Sequence, residues 1–179
     1  MPKYAVLLRG VNVGGNRKVP MAELRELLTG LGFDDVRTHL QSGNAVVGAS
    51  RTTPAKVGAK VEKALESEYG VAIEVVVVTK AEIDAIIAAH PFTDVADNGS
   101  RMMVLFLSDA PSAATVKEFD AVALDPDRAR LGDRVIYQWC PDGVLKAPDV
   151  ATFVAKKWGV TVTGRNWNTV TKLAEMLAP

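Results

Sequence analysis

The order of short apolar runs and helical segments along residues 1–79 restricts the fold of this chain more than any other feature. Apolar runs of strand length alternate with stretches whose leucines and valines recur at helical spacing, and Pro20 and Thr53-Pro54 stand where helices would begin. We predict four strands and two helices: strands at 3–9, 36–40, 45–48 and 71–78, and helices at 20–31 and 54–69. The resulting β-α-β-β-α-β order is that of a split βαβ, or ferredoxin-like, plait.

The second half of the chain repeats this order without repeating the sequence. Its predicted elements are strands at 102–107, 122–131, 134–140 and 160–162 and helices at 112–119, 150–158 and 166–177. Between the halves, the capping-box spacing of Thr79 and Glu82 starts a further helix that ends before Pro91. We therefore predict an α+β protein of tandem ferredoxin-like subdomains, residues 1–79 and 102–179, with a connecting helix and linker at 80–101 and an extra C-terminal helix.

Composition excludes several classes of protein. Apolar residues make up 48% of the chain, which is enough to build a core, so disorder is excluded as the main state. The 21 basic and 21 acidic residues cancel, which excludes a uniformly basic surface for nucleic acid. The single cysteine, Cys140, excludes a disulfide framework and a cysteine-based zinc site.

The sequence predicts neither a membrane protein nor a cofactor site. No apolar run approaches the roughly 20 residues that cross a bilayer, and Met1-Pro2-Lys3-Tyr4 leads straight into a strand without a signal-like segment. His39 and His90 have no further metal ligands at a suitable spacing. We therefore expect a cytoplasmic protein, either a monomer or a homodimer paired through sheet edges, with no metal and no cofactor.

The loop after the first strand and the turn between the second and third strands are predicted to be neighbours. In a split βαβ plait the first two strands are parallel and the third runs back between them, so both connections meet at one end of the sheet. The groups that they bring together are Arg9, Asn12, Gly14, Gly15 and Lys18 from the loop and Gln41, Ser42 and Asn44 from the turn. Both segments are rich in hydrogen-bonding groups.

The same loop is locally basic although the protein is neutral. Residues 1–22 carry Lys3, Arg9, Arg17 and Lys18 and no acid. The loop leads into a predicted helix, whose N-terminal N–H groups and positive partial charge attract anions. Glycine lets a backbone approach an anion closely. This combination predicts binding of a phosphate or a carboxylate.

A structural interpretation of the loop remains open beside this one. In this interpretation Gly14 and Gly15 form a turn that requires positive φ, and Arg9 forms an ion pair with Asp34 or Asp35 across the surface. It also uses Asn12 and Asn16 to cap backbone groups.

Known catalytic motifs are absent or incomplete. Residues 10–17, GVNVGGNR, have the glycine spacing of a Walker A loop but lack the Lys and Ser/Thr that should follow Gly15. Ser42 lies outside a G-x-S-x-G motif and has no paired base, and Cys140 is typical of a small packed residue. An enzyme of uncharacterised activity, using Ser42, stays as an alternative without an assigned catalytic pair.

The segment Arg165-Asn166-Trp167-Asn168-Thr169 has two interpretations. In the first, Trp167 packs a helix start while Asn166 or Asn168 caps it. In the second, the arginine, the indole and the amides stack on and bind a planar group such as a base. The predicted strands 3–9 and 102–107 lack the aromatic pattern of an RNA-binding plait.

Five parts of the sequence carry a further resemblance: Arg9-Gly10-Val11-Asn12-Val13-Gly14-Gly15 with Lys18-Val19-Pro20-Met21, Leu31-Gly32-Phe33, Gln41-Ser42-Gly43-Asn44, Pro141-Asp142-Gly143, and Arg165 to Val170 with Lys172-Leu173. Together they resemble a bacterial family of uncharacterised proteins, domain of unknown function 1697. The resemblance implies tandem α/β-plait subdomains and supplies no reaction, cofactor or partner. The chain departs from the family where residues 144–148 replace a Ser-Lys-Leu-like stretch.

We therefore predict a soluble binding module for a small anionic or nucleotide-like ligand at the Gly/Asn-rich loop. Arg9, Lys18 and the amides of Gly14 and Gly15 would hold the charge. The orienting groups would be Asn12, Gln41, Ser42 and Asn44, and Arg165, Asn166 and Trp167 would close the site if the second subdomain brings them there. The alternative partner is RNA or single-stranded nucleic acid, whose affinity would fall steeply with salt.

Overall fold

The computed structural model describes residues 1–15 and 17–179, so Asn16, one of the two expected backbone caps, lies outside the described residues. The chain divides into two compact units, Met1–Glu82 with Leu173–Pro179 and Ile83–Lys172. The structure is mixed α+β. The described part contains two four-stranded sheets, with antiparallel neighbours throughout, and six α-helices.

The sheet of the first unit has the strand order β2-β3-β1-β4. Its elements are β1 (Lys3–Leu8), α1 (Met21–Gly30), β2 (Asp34–His39), β3 (Asn44–Gly48), α2 (Pro54–Tyr69) and β4 (Val75–Thr79). Because β3 pairs antiparallel with both β1 and β2, those two strands are parallel. Alternate β1 residues, Val6 and Leu8, pack in the core with Leu24 and Leu28 of α1 and Leu65 of α2.

Local side-chain bonds start two of the helices where the sequence predicts them. Thr53 caps α2 through its Oγ1, which accepts the Lys56 N–H at 3.3 Å. Helix α3 (Lys80–Ala88) begins after a reciprocal capping box. In it, the Thr79 N–H donates to Glu82 Oε2 at 2.8 Å and the Glu82 N–H donates to Thr79 Oγ1 at 3.2 Å.

The sheet of the second unit has the order β6-β7-β5-β8. The elements of this unit are β5 (Met102–Leu107), α4 (Ala113–Glu118), β6 (Ala129–Leu131), β7 (Val135–Trp139), α5 (Val150–Trp158) and β8 (Val162–Asn166), with short 3-10 helices at Val122–Leu124 and Val144–Lys146. Helix α6 (Trp167–Leu177) begins in this unit, and its residues from Leu173 onward belong to the first. Its core joins Leu105 and Leu107 of β5 to Ile136 of β7 and to Val150 and Val154 of α5.

Two predicted strands in this chain are shorter than expected. The strand predicted at 71–78 begins only at Val75, because its pairing with β1 ends where Leu8 pairs with Val75. Val71 lies before the strand and is 43% exposed. The strand predicted at 122–131 is limited to β6. The 3-10 helix Val122–Leu124 and a turn replace its first part, and in the turn the Asp125 carbonyl accepts the N–H groups of both Arg128 and Ala129.

The final strand is longer than predicted and changes the setting of the Arg165 segment. The predicted strand at 160–162 is in fact Val162–Asn166, in register with β5 from Leu107 back to Met103. Arg165 and Asn166 therefore belong to a strand, and the last helix begins at Trp167 instead of at 166.

The last residues of the chain complete the first unit. The Met176 carbonyl accepts a bond from Arg37 Nη2 at 2.6 Å, and the Ala178 carbonyl accepts one from Lys3 Nζ at 2.7 Å. Across residues 1–15 and 17–179, every helix is too short or too polar to cross a membrane.

Candidate functional site

The loop after β1 and the turn before β3 adjoin at one end of the first sheet, as the strand topology predicts. Leu7 pairs with Asn44 in the ladder, and the Leu8 N–H donates to the Gly43 carbonyl at 2.8 Å. Farther along, Asn12 Nδ2 donates to the Gln41 carbonyl at 2.6 Å. Residues 9–15, 17, 18 and 41–44 therefore form one surface, which we call the loop–turn surface.

Asn12 clamps this surface to the chain that leads into α1. Its Nδ2 also donates to the Val19 carbonyl, and its Oδ1 accepts the Val19 N–H, both at 2.9 Å. The residue has a φ of +56°, a conformation that asparagine tolerates better than most residues. Because the side-chain amide is engaged with backbone on two sides, its geometry favours the backbone-capping interpretation.

Gly43 lies at the closest approach between the turn and the loop. Its φ is +87°, and a Cβ added there would lie 2.7 Å from Val11 Cγ2 and 2.8 Å from Leu8 Cβ. Both the backbone conformation and the available space therefore require glycine. This close packing sets the position of the turn against the end of β1.

Asn44 closes the turn from inside. It is fully buried, and its Nδ2 donates to the His39 carbonyl at 2.9 Å and to Ser42 Oγ at 3.0 Å. Of the turn residues predicted to orient a ligand, Asn44 is thus enclosed by the protein, whereas Gln41 and Ser42 are exposed. A ligand at this surface would meet the latter two residues.

Arg9 pairs with an acid that the sequence interpretation did not consider. Its Nη1 lies 2.5 Å from Glu74 Oε2, with the two side chains 43% and 47% exposed. The expected pairing with Asp34 or Asp35 is wrong, because the residue after β1 faces the start of β4: the Arg9 N–H donates to the Glu74 carbonyl at 2.9 Å. The guanidinium is therefore partly neutralised at the edge of the surface.

The exposed positive charge lies farther along the loop. Arg17 and Lys18 are exposed, and they lie four and three residues before Met21, the first residue of α1. Gly14 and Gly15 have φ of +60° and +77°, and a Cβ on either would meet no described atom within 4 Å. The backbone of this loop is thus open to approach from solvent.

Two exposed apolar residues, one in the loop–turn surface and one next to it, were not singled out from the sequence. Val13 is 65% exposed beside the Asn12 clamp, and Leu40 is 56% exposed beside Gln41. Leu40 also has a φ of +59°, which is uncommon for a residue with a branched side chain. Val13 stands between polar and glycine residues in the sequence, which was a usable signal; Leu40 looked like the end of a strand.

Arg165 is enclosed by the second unit. It lies in β8 with 6% of its surface exposed, and its Nη1 donates to Thr163 Oγ1 and to the Gly164 carbonyl, both at 2.8 Å. Burial lowers the pKa of the guanidinium to about 10. These bonds hold the side chain along its own strand.

Asn166 and Trp167 build the junction between β8 and α6. Asn166 Oδ1 accepts the Thr169 N–H at 3.0 Å, which caps the helix. The Trp167 N–H donates to the Gly99 carbonyl at 3.0 Å, and its ring centroid lies 4.3 Å from that of His90. These contacts favour the packing-and-capping interpretation of the segment.

Comparison with known protein families gives a match for this chain. The profile of the family described as "Protein of unknown function (DUF1697)" matches residues 1–137, which include the whole loop–turn surface. The chain belongs to this family. The DUF1697 match ends before β8, so the similarity of the Arg165 segment rests on its sequence pattern. No curated protein is significantly similar to the chain.

A solved structure has a fold similar to that of this DUF1697 protein. It is the conserved bacterial protein SP0830 from Streptococcus pneumoniae, which shares 25% sequence identity with this chain. The similarity covers 99% of each chain with a TM-score of 0.67. Neither the DUF1697 description nor that of the Streptococcus protein names a ligand, so function has to be argued from the site.

Proposed function

We propose that this DUF1697 protein binds a small anionic or nucleotide-like ligand at the loop–turn surface. The observation that carries the proposal is the exposure of Arg17 and Lys18 directly before α1. The N-cap position is held by Pro20, which has no side-chain oxygen to accept the first amides of the helix. Cationic side chains and the positive end of a helix therefore lie within a few residues of each other, an arrangement that favours an anion.

The backbone around these cations is suited to close contact. Gly14 and Gly15 lack side chains, and the space that a Cβ would occupy is open among the described atoms. Successive amides in such a segment can cradle an oxyanion. Arg9 would join the ligand by exchanging Glu74 for it, since both members of that pair are about half exposed.

The remaining predicted residues divide into scaffold and contact groups. Asn12 and Asn44, with Gly43, fix the loop against the turn. Gln41 and Ser42, which are exposed, would orient the ligand. A contribution of Arg165, Asn166 and Trp167 to the same ligand stays a prediction.

We also propose that both units are ferredoxin-like plaits, with subdomains at 1–79 and 102–179, a connecting segment at 80–101, and α6 as the additional helix. The equivalent strand orders, β2-β3-β1-β4 and β6-β7-β5-β8, support this proposal.

We also propose that the protein is cytoplasmic. This location is supported by Cys140, which is a free, buried thiol.

The strand aromatics argue against the nucleic-acid alternative. Tyr4, Tyr137 and Trp139 are 6%, 2% and 8% exposed, so their faces are not presented to bases. Plaits that bind RNA stack bases on exposed aromatic residues of the sheet. The anionic small molecule is therefore the favoured ligand.

Isothermal titration calorimetry at low salt tests the proposal with inorganic phosphate, nucleotides, sugar phosphates and organic acids. We expect saturable binding of at least one of them. In the double variant Arg17→Gln/Lys18→Gln the affinity should fall about tenfold or more, because charge-assisted hydrogen bonds are lost. The matched control is Lys56→Gln/Lys63→Gln, which removes the same charge from exposed positions of α2.

Two results would contradict the proposal. One is the absence of binding across the whole set of anions. The other is equal loss of affinity in the Arg17/Lys18 and Lys56/Lys63 variants, which would show that the affinity depends only on the net charge of the protein.

Light scattering on the same samples distinguishes the monomer from the homodimer.

A further inference from the structure

The second unit contains a polar pocket that the proposed function does not use. Its volume is about 710 Å³, and it is lined by the segment before β5 and by the end of β7: Val95, Asp97, Asn98, Gly99, Arg101, Trp139 and Pro141. Pockets of roughly 300–1,000 Å³ are typical of small-molecule sites. Every residue around it belongs to the same unit.

The segment that forms the rim is fixed from several sides. Asn98 Oδ1 accepts bonds from the Ser100 N–H at 3.0 Å and from Ser100 Oγ at 2.5 Å. The Gly99 carbonyl accepts the Trp167 N–H at 3.0 Å, and the side-chain oxygen of Asn168 occupies the space that a Cβ on Gly99 would need. The Arg165–Thr169 segment thus holds this rim in place.

The opposite wall is fixed by the sheet. Trp139 is the last residue of β7, and its N–H donates to the Arg128 carbonyl at 2.8 Å. The Cys140 N–H donates to the Arg101 carbonyl at 2.9 Å, and the Arg101 guanidinium bonds to the Pro141 carbonyl. The pocket is therefore preformed, which lowers the entropic cost of binding.

Asp97 and Arg101 place opposite charges in the pocket without neutralising each other. Both are exposed, and neither belongs to an ion pair among the described residues. The guanidinium uses one nitrogen on the Pro141 carbonyl, and arginine has five N–H donors in all. A purely anionic ligand would be repelled by Asp97, and a purely cationic one by Arg101.

Of the other lining residues, Val95, Trp139 and Pro141 are apolar, and Asn98 adds a side-chain amide. Val95 is 56% exposed, whereas Trp139 is only 8% exposed. The exposed valine suits a hydrocarbon or aromatic group, which gains by leaving water. The pocket therefore combines one carboxylate, one guanidinium and one exposed apolar side chain.

We propose that this pocket binds a free α-amino acid with an apolar or aromatic side chain. The ligand's ammonium group faces Asp97 and its carboxylate faces Arg101. Its side chain lies against Val95. The site is independent of the anion proposed for the loop–turn surface.

Titration of the chain 1–179 with L-leucine and L-phenylalanine, followed by tryptophan fluorescence and calorimetry, tests the proposal. We expect saturable binding of at least one amino acid. L-Phenylalanine amide and N-acetyl-L-phenylalanine should each bind about tenfold more weakly or not at all, because each lacks one of the two charges. Equal binding of these derivatives, or no saturable response to either amino acid, overturns the proposal.

Substitutions identify the pocket as the site. Asp97→Asn and Arg101→Gln should each weaken binding about tenfold, whereas Asp94→Asn, at an exposed acid outside the pocket, should bind like the wild type. Asp97→Asn keeps the test decisive if Arg101→Gln fails to fold through loss of its bond to Pro141. Wild-type affinity in Asp97→Asn also overturns the proposal.

Discussion

The side-chain amide of Asn12 joins two segments that are 29 residues apart, with its Nδ2 2.6 Å from the carbonyl oxygen of Gln41. The same side chain both donates to and accepts from the backbone of Val19, so it connects the β2–β3 turn with the chain that enters α1. Asn12 is therefore one of the residues, with Gly43 and Asn44, that set the shape of the loop–turn surface.

Replacement of Asn12 by alanine should destabilise the first unit. The variant loses three hydrogen bonds and leaves partly buried backbone groups without partners, which costs about 1–3 kcal/mol. Denaturant unfolding measures the change. Gln41→Ala is the matched control, because Gln41 contributes its backbone carbonyl, and it should unfold like the wild type. An Asn12→Ala variant of unchanged stability would contradict the assigned clamp.

Gly43→Ala should cost more than an alanine at another glycine with positive φ. A Cβ added at Gly70 (φ +69°) would have no described atom within 4 Å, so Gly70→Ala introduces only backbone strain, which costs about 1–2 kcal/mol. Gly43→Ala adds the clash with Val11 and Leu8, worth about a further 1–3 kcal/mol. Thermal unfolding of the two variants gives the comparison. Equal losses would show that the turn adjusts without strain.

His90 should make the protein less stable as the pH falls. Burial lowers the pKa of its imidazole below the ordinary 6.5, so the unfolded chain takes up a proton before the folded chain does. The free energy of unfolding should therefore decrease as the pH falls through 6.5 and level off below the folded-state pKa. Urea unfolding of the wild type and of His90→Gln over this pH range measures the pH dependence of the free energy of unfolding. The variant should show a smaller decrease, and an unchanged pH dependence would contradict the assignment.

Cys140 should resist thiol reagents in the native protein. Its residue is 1% exposed, and burial, with a smaller contribution from Asp125, raises the pKa of the thiol to about 11. At mildly alkaline pH the reactive thiolate is therefore scarce as well as inaccessible. Reaction with an aromatic disulfide should be slow in the folded protein and fast in denaturant. Equal rates in the two states would show that the thiol is accessible.

The order of elements could be predicted from sequence because it depends on local signals. The capping box at Thr79 and Glu82 and the cap at Thr53 each act within three residues, and both helices begin where these patterns place them. The meeting of the loop with the Gln41–Asn44 turn followed from strand order alone. Topology supplied a long-range contact that no local pattern contains.

The errors arose where distant residues decide the structure. Val71 has strand propensity but lies beyond the end of β1, so no partner strand reaches it. Asn166 was predicted to begin the last helix, yet pairing with Met103 of β5 extends β8 through it. The Arg9–Glu74 pair joins two residues that are adjacent only because β1 and β4 are neighbours. Side-chain partners of this kind follow from the sheet register, which the sequence alone left undefined.

The return of Leu173–Pro179 to the first unit has a consequence for synthesis of the protein. Lys3 and Arg37 obtain their carbonyl acceptors at Ala178 and Met176 only after residues 176–178 have left the ribosome. The first unit therefore waits for a segment that is made after residues 83–172, and the second unit can finish folding before the first.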